Sequence, residues 1–167
     1  MGSYGAEIWV AEGTYTAAEG GDVVSLMPTT MMYGGFSGNE KTRDERDSRA
    51  HETIIDGQER RRCVMANVRS VIDGFTLKNG TAFSGGGMYG GTAVNCTFTE
   101  NSASEYGGGM CGGTAVNCTF TGNYSLSDSY INGCGGGMYG GTATNCTFTG
   151  NHASEYGGGM YGGTATN

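Results

Sequence analysis

Apolar and polar side chains alternate in short runs through the second half of the chain. In one such run, Cys96 and Phe98 are separated by Thr97 and followed by Thr99. A period of two is typical of a half-buried strand, because neighbouring strand side chains point to opposite faces. We therefore expect Cys96 and Phe98 to face a core and the two threonines to face solvent.

This run belongs to a longer repeat. Near-identical copies begin at Gly85, Gly107, Gly135 and Gly157, so the steps are 22, 28 and 22 residues. A period near twenty residues with no helical pattern predicts a solenoid, in which each copy stacks on the previous one. Glycine and β-branched threonine also disfavour helix. Each coil of about 22 residues is predicted to hold two or three short strands joined by glycine and asparagine corners.

Stacking predicts columns of like side chains, because hydrogen-bonded strands lie about 4.8 Å apart. The predicted inward columns are Met88, Met110, Met138 and Met160; Phe98, Phe120 and Phe148; and Cys96, Cys118 and Cys146. Two asparagine columns are expected at corners: Asn95, Asn117, Asn145 and Asn167, and Asn101, Asn123 and Asn151. Asparagine tolerates left-handed backbone and can form ladders of amide hydrogen bonds.

The first half is predicted to contain less regular coils of the same solenoid, over residues 1–80. Trp9 is expected in the core or covering its end, and a strand is expected to close at Gly34 and Gly35. The charged segment 40–52 is predicted to be a surface loop with internal ion pairs. Asp56 and Asp73 follow similar strand patterns, which predicts corresponding turns. Residues 81–167 are predicted to form the regular coils, with an insertion near 124–133.

Two motifs support a resemblance to a known family. Gly108-Gly109-Met110 followed by Phe120-Thr121-Gly122-Asn123 resembles the GGA-aliphatic and FxxN repeats of the polymorphic membrane proteins of chlamydiae, although methionine replaces the aliphatic residue. Those proteins are surface-displayed autotransporter adhesins. The first half, with IWVAEGTYT at Ile8 to Thr16, is similar to the start of pectate-lyase-like domains in large bacterial surface proteins.

The resemblance implies an all-β fold, a right-handed parallel β-helix. It also implies an extracellular or cell-surface location, associated with the bacterial outer membrane. We expect the chain to be a fragment of a longer protein. The end coils, if uncovered, would allow self-association.

Charge limits the partners of this solenoid. The chain has 167 residues, 34 of them glycine, and a net charge of -7, with no lysine or arginine after residue 80. Nucleic-acid binding requires basic residues that neutralise phosphates, so none is predicted. No apolar stretch is long enough to span a bilayer, and no membrane insertion of this segment is expected.

Six cysteines raise the question of redox chemistry or metal binding. Cys63 and the column of three are predicted to be small buried apolar residues. Cys111 and Cys134 each interrupt a column of tyrosines, and we hypothesise that they form a disulfide that holds the inserted loop from Tyr124 to Gly133. There is no CxxC pair, and His51 and His152 are far apart, so no metal or cofactor is predicted.

Catalysis is not predicted for this segment. Enzymes with the β-helix fold that this chain resembles use clustered acidic residues, often with calcium. The repeats offer mainly threonine, tyrosine, glycine and serine. A polysaccharide lyase or hydrolase whose site lies outside this segment, or at its edge, is the enzymatic alternative.

Two binding hypotheses remain. The tyrosines are predicted to contact a host protein or carbohydrate, or else simply to cover the glycine-rich strand: Tyr89, Tyr139 and Tyr161, with Tyr106 and Tyr156. The threonine pairs form a T-x-T array that resembles those of ice-binding β-solenoids: Thr97 and Thr99, Thr119 and Thr121, Thr147 and Thr149.

Overall fold

The chain winds into a parallel β-helix. A computed structural model describes residues 5–126 and 133–167. Strands from successive coils pair in parallel and form four long sheets. The predicted all-β solenoid is confirmed.

The first two coils contain three strands each. In chain order these are β1 (Glu7–Ala11), β2 (Gly13–Tyr15) and β3 (Val24–Ser25), then β4 (Met31–Phe36), β5 (Thr53–Asp56) and β6 (Val64–Met65). A short 3₁₀ helix, Arg43–Glu45, lies in the loop between β4 and β5.

The next four coils contain four strands each. They are β7 (Val71–Asp73), β8 (Phe75–Lys78), β9 (Thr81–Ser84) and β10 (Met88–Tyr89); β11 (Thr92–Val94), β12 (Thr97–Thr99), β13 (Ser102–Tyr106) and β14 (Met110–Cys111); β15 (Thr114–Val116), β16 (Thr119–Thr121), β17 (Tyr124–Ser125) and β18 (Met138–Tyr139); and β19 (Thr142–Thr144), β20 (Thr147–Thr149), β21 (His152–Ala153) and β22 (Met160–Tyr161). A last strand, β23 (Thr164–Thr166), begins another coil.

Each sheet collects one strand from each coil. Sheet A is β1-β4-β7-β11-β15-β19-β23, sheet B is β2-β5-β8-β12-β16-β20, sheet C is β3-β6-β10-β14-β18-β22, and sheet D is β9-β13-β17-β21. Along a regular coil the chain passes through sheets A, B, D and C. The strand in sheet D was not predicted, since only two or three strands per coil were expected.

The core is a narrow stack of identical side chains, as predicted. Met88 pairs with Met110, and Phe98 with Phe120, in exact parallel register from coil to coil. Both phenylalanines are fully buried, and their ring centroids lie 4.6 Å apart. Because each buried Phe contributes about 2 kcal/mol, the stack is a main source of stability.

The two asparagine columns have different roles. Asn95, Asn117 and Asn145 have φ angles of 50°, 53° and 50°, in the left-handed region expected for a corner. The second column is buried: the amide nitrogen of Asn101 donates to Oδ1 of Asn123 over 2.9 Å, and Asn123 donates to Asn151 in the same way. One column therefore turns the chain, while the other joins the coils from inside.

Several expectations for the first half are wrong. Trp9 lies on the outer face of sheet A, 41% exposed, with its ring stacked on Phe36 at 4.9 Å. Gly34 and Gly35 do not close a strand, since they lie within β4. Asp56 and Asp73 do not occupy corresponding turns: Asp56 ends β5 in sheet B, whereas Asp73 ends β7 in sheet A.

The charged segment 40–52 is held by contacts both outside and within itself. Arg46 forms an ion pair with Asp73 Oδ2 at 2.7 Å and donates to the carbonyl oxygen of Gly34 at 3.0 Å. His51 Nδ1 lies 2.9 Å from Glu12 Oε2. Within the loop, Arg43 Nε lies 3.7 Å from Asp44 Oδ1, which is an internal ion pair of the predicted kind. The loop is thus also pinned to sheet A and to the first coil.

Among the described residues, no helix has the length and apolar character needed to cross a membrane.

Candidate functional site

Four of the five predicted tyrosines form one continuous surface. The ring centroids of Tyr106 and Tyr139 lie 4.4 Å apart, those of Tyr139 and Tyr161 6.0 Å, and those of Tyr161 and Tyr156 5.5 Å. We call these four residues the tyrosine strip. It runs along the corner between sheets D and C, where Tyr156 meets Tyr161 of the same coil and Tyr106 meets Tyr139 of the next coil.

Local backbone geometry explains how Tyr156 and Tyr161 come to lie side by side. Gly157, between Tyr156 and Tyr161, has φ of 63°, and a Cβ added to it would lie 2.7 Å from the Cβ of Tyr161. Glycine is required there because of both the left-handed backbone and the close approach. The equivalent turns begin at Gly107 and Gly135, with φ of 64° and 67°.

The tyrosine strip is accessible and uncharged. Tyr156 and Tyr161 are 51% and 41% exposed, while Tyr106 and Tyr139 are half-buried. Desolvation raises the pKa of the Tyr106 hydroxyl, so this phenol stays neutral at physiological pH. Such a surface offers apolar ring faces beside polar hydroxyl groups.

Tyr89 is separate from the strip. Cys111 lies between Tyr89 and Tyr139 in the pairing of sheet C. The Tyr89 ring instead carries the guanidinium of Arg62, whose central carbon lies 5.5 Å from the ring centroid. The sequence therefore predicted that Tyr89 shares a column with Tyr139, but not that Tyr89 lies apart from the other tyrosine rings.

The two unusual cysteines occupy the predicted tyrosine positions. Cys111 pairs with Tyr89 and Tyr139, and Cys134 bridges Tyr106 and Tyr156. The Cys111–Cys134 disulfide stays a prediction. Most of the loop it was predicted to hold, residues 127–132, lies outside the described residues.

The predicted threonine array lies on the outer face of sheet B. Thr97, Thr119 and Thr147 are in register, as are Thr99, Thr121 and Thr149. Sheet A carries a second array that the sequence analysis missed, with Thr92, Thr114, Thr142 and Thr164 in one column and Val94, Val116, Thr144 and Thr166 in the next. The T-A-V and T-A-T runs, with alanine inward, were the signal for it.

A polar groove is the other feature that the sequence analysis missed. It lies at the corner between sheets A and B, beneath the charged loop, and has a volume of about 490 Å³. Its polar lining residues are Ser48, Arg49, Glu52, Thr76, Asn95, Thr97, Asn117 and Thr119. These come from three coils and one loop, so no local pattern in the sequence unites them.

The two aspartates that end β5 and β7, Asp56 and Asp73, each lie beside a basic side chain. Asp73 contacts Arg46, and Asp56 Oδ2 lies 3.8 Å from Nζ of Lys78. Within the described ranges, no three His, Cys, Asp or Glu side chains come together in a way that could hold a metal ion.

Compared with known protein families, with curated proteins and with solved structures, the chain matches none. The class that its fold defines is the parallel β-solenoid.

Proposed function

We propose that this β-helix is a non-catalytic, adhesive segment of a secreted or cell-surface bacterial protein, of the autotransporter-passenger type. In this role the stacked coils form a rigid support, and the tyrosine strip is the surface that contacts a protein or glycan outside the cell. The continuity of the four rings carries the proposal.

Both the chemistry and the rigidity of the strip support this role. Tyrosine supplies a large contact area with few rotatable bonds, and it is enriched among the residues that dominate binding energy. Each ring here is fixed to a strand or corner of a sheet that continues through neighbouring coils. Little conformational entropy would therefore be lost on binding.

The test compares two tyrosine substitutions of similar exposure. Binding of the chain to printed glycans and to immobilised extracellular-matrix proteins would be measured for the wild type, for Tyr161→Ala and for Tyr89→Ala. Tyr161 lies in the strip, whereas Tyr89, 44% exposed, lies outside it. We expect Tyr161→Ala to weaken binding roughly ten-fold or more and Tyr89→Ala to leave it nearly unchanged.

Equal losses in the two variants, or no binding by the wild type on either surface, would contradict the proposal. Circular dichroism of both variants checks that the fold is retained. Whether the ligand is found among the glycans or among the proteins decides its class.

A second candidate function is ice binding, because the threonines of sheets A and B are aligned. Within a column they repeat about every 4.8 Å, and alternate strand residues are about 6.6 Å apart. A regular array of hydroxyl and methyl groups could order water on its surface. Thermal hysteresis should then appear in the wild type and disappear in Thr119→Lys or Thr142→Lys, whichever face is active; a wild type without hysteresis excludes this function.

A further inference from the structure

The geometry points to a second binding site, in the polar groove between sheets A and B, for a neutral saccharide. The groove lies at a different corner of the coil from the tyrosine strip, and nothing in the argument depends on the strip. Its volume of about 490 Å³ lies within the range of roughly 300 to 1,000 Å³ of small-molecule sites.

One wall of the groove is preformed by the charged loop. The backbone N–H of Asp47 donates to the carbonyl oxygen of Gly35 at 2.8 Å, and Asp47 Oδ1 accepts from the backbone N–H of Arg49 at 2.9 Å. Arg46 fixes the same segment to Asp73. The backbone at Ser48 and Arg49 is therefore held in place without a ligand.

Glu52 closes the same side. Its Oε1 accepts a hydrogen bond from the hydroxyl of Thr76 at 2.9 Å, and its carbonyl oxygen accepts from the backbone N–H of Gly13 at 3.0 Å. The carboxylate is thereby oriented on sheet B while the residue stays exposed. A charged acceptor held in this way forms strong hydrogen bonds with hydroxyl donors.

The opposite wall is a ladder of side-chain amides. Asn95 Nδ2 donates to Asp73 Oδ1 at 3.0 Å, and Asn117 Nδ2 donates to Asn95 Oδ1 at 3.3 Å. Each amide nitrogen carries two hydrogens, and each amide oxygen can accept two hydrogen bonds. The ladder uses one of each, which leaves exposed Asn95 and Asn117 able to donate to a ligand and accept from it.

Charge and polarity select the class of ligand. Arg49 and Glu52 contribute opposite charges to one wall of the groove, and the amide wall is neutral, so neither an anion nor a cation is favoured. The apolar residues of the floor, Phe75 and Cys96, are only 2% exposed, so an apolar ligand would find little surface. Sugar hydroxyl groups each donate and accept, which matches the mixed amide, carboxylate, guanidinium and hydroxyl lining.

The experiment uses two arrays of printed oligosaccharides, one neutral and one bearing carboxylate or sulfate groups, followed by calorimetric titration of the best neutral sugar. The matched variants are Asn117→Gly and Asn79→Gly. Both asparagines have positive φ, which glycine adopts without strain, but only Asn117 lines the groove.

We expect Asn117→Gly and Arg49→Gln each to weaken the affinity roughly 3- to 10-fold, and Asn79→Gly and Tyr161→Ala to leave it unchanged. Preference for the anionic array, absence of binding to any neutral sugar, or equal losses in Asn117→Gly and Asn79→Gly would overturn the inference. If the loss occurs in Tyr161→Ala instead, the sugar binds to the tyrosine strip and the groove assignment fails.

Discussion

Asn123 uses the full hydrogen-bonding capacity of its side chain inside the core. Its Nδ2 donates to the carbonyl oxygen of Phe98 and to Oδ1 of Asn151, and its Oδ1 accepts from the backbone and side-chain nitrogens of Asn101. The residue is fully buried. Loss of these hydrogen bonds would lower stability, because the buried partner atoms could not bond to water instead.

The Asn123→Asp variant tests this ladder. The substitution keeps the shape but places an oxygen against two acceptor oxygens, so we expect a loss of roughly 3 kcal/mol or more at neutral pH. Protonation restores a donor, so the loss should shrink in acid. The control is Asn145→Asp at the exposed corner, which should cost little because aspartate also tolerates left-handed backbone. Urea unfolding at two pH values measures the free energy of unfolding of each variant. Similar losses of stability at the two sites would show that the buried ladder adds no stability.

Cysteine reactivity should follow burial. Desolvation raises the pKa of Cys63 to about 12, compared with the ordinary 9.0, so at about pH 8 its thiolate population is lower by roughly a thousand-fold. After treatment with a reductant, we expect iodoacetamide to modify half-exposed Cys111 in the folded protein and to spare buried Cys63 until urea is added. Peptide mass mapping measures both sites, and rapid labelling of Cys63 without urea would contradict its burial.

The same mapping tests the predicted cross-link. If Cys111 and Cys134 form a disulfide, neither is labelled before reduction, and their peptides migrate together under non-reducing conditions. Labelling of Cys111 without a reductant would rule the disulfide out.

Arg46 and Arg43 lie in one loop and both stack on Tyr33, with guanidinium carbons 5.3 Å and 5.1 Å from its ring. They differ in their ion pairs. Arg46 contacts Asp73 at 2.7 Å with both side chains mostly buried, whereas Arg43 reaches Glu7 at 3.9 Å from an exposed position. Loop anchoring should therefore depend on Arg46.

We expect Arg46→Met to destabilise the protein by about 2 kcal/mol, the usual range for hydrogen bonds to a charged group, and Arg43→Met by less than about 0.5 kcal/mol. Hydrogen exchange of the Asp47 amide should speed up in Arg46→Met alone. The double variant Arg46→Met/Asp73→Asn should recover part of the loss, because it removes the unpaired carboxylate. Equal effects of the two single variants would refute the anchoring role.

The strands of the repeats could be predicted because their alternation is local. The alternation of apolar and polar residues, together with the repeat, was enough to place Cys96, Phe98 and Met88 in the core. Asp56 and Asp73 were misplaced because the I-I-D-G and V-I-D-G runs look alike, although they lie in different sheets. A local pattern specifies a strand but not its neighbours. Trp9 was misplaced for a related reason, since its partner Phe36 lies at the far end of another strand.

Of the two candidate sites, only the tyrosine strip could be predicted from the sequence. The tyrosine strip follows from the repeat, because its rings occupy two repeated positions of the coil, Tyr106 and Tyr156 in one and Tyr139 and Tyr161 in the other. The polar groove does not, because Arg49 and Asn117 are brought together only by the fold of a loop that has no counterpart in the repeats. The pairing of Tyr106 with Tyr139 from the next coil also needed coordinates.

The stacking of coils makes the length of the solenoid adjustable. Ser84 and Tyr106 occupy paired positions on β9 and β13, so deletion of residues 85–106 would join Ser84 to Gly107 with every later strand in an equivalent place. Met110 would then pair with Val64, as Met88 does now. We expect this variant to fold with a lower unfolding midpoint, because it loses one buried Phe and one buried Met, each worth about 2 kcal/mol, partly offset by fewer residues to order.

Deletion of residues 85–95 is the matched control. It removes β10 and β11 but keeps β12 and β13, so sheets C and A lose a strand while sheets B and D do not. Since each coil contacts only its neighbours, the following coils cannot pair in all four sheets at once. Circular dichroism and urea unfolding should show a cooperative β-structure for the first deletion and its loss beyond the junction for the second. If the two deletions behave alike, stability does not depend on complete coils stacked in register.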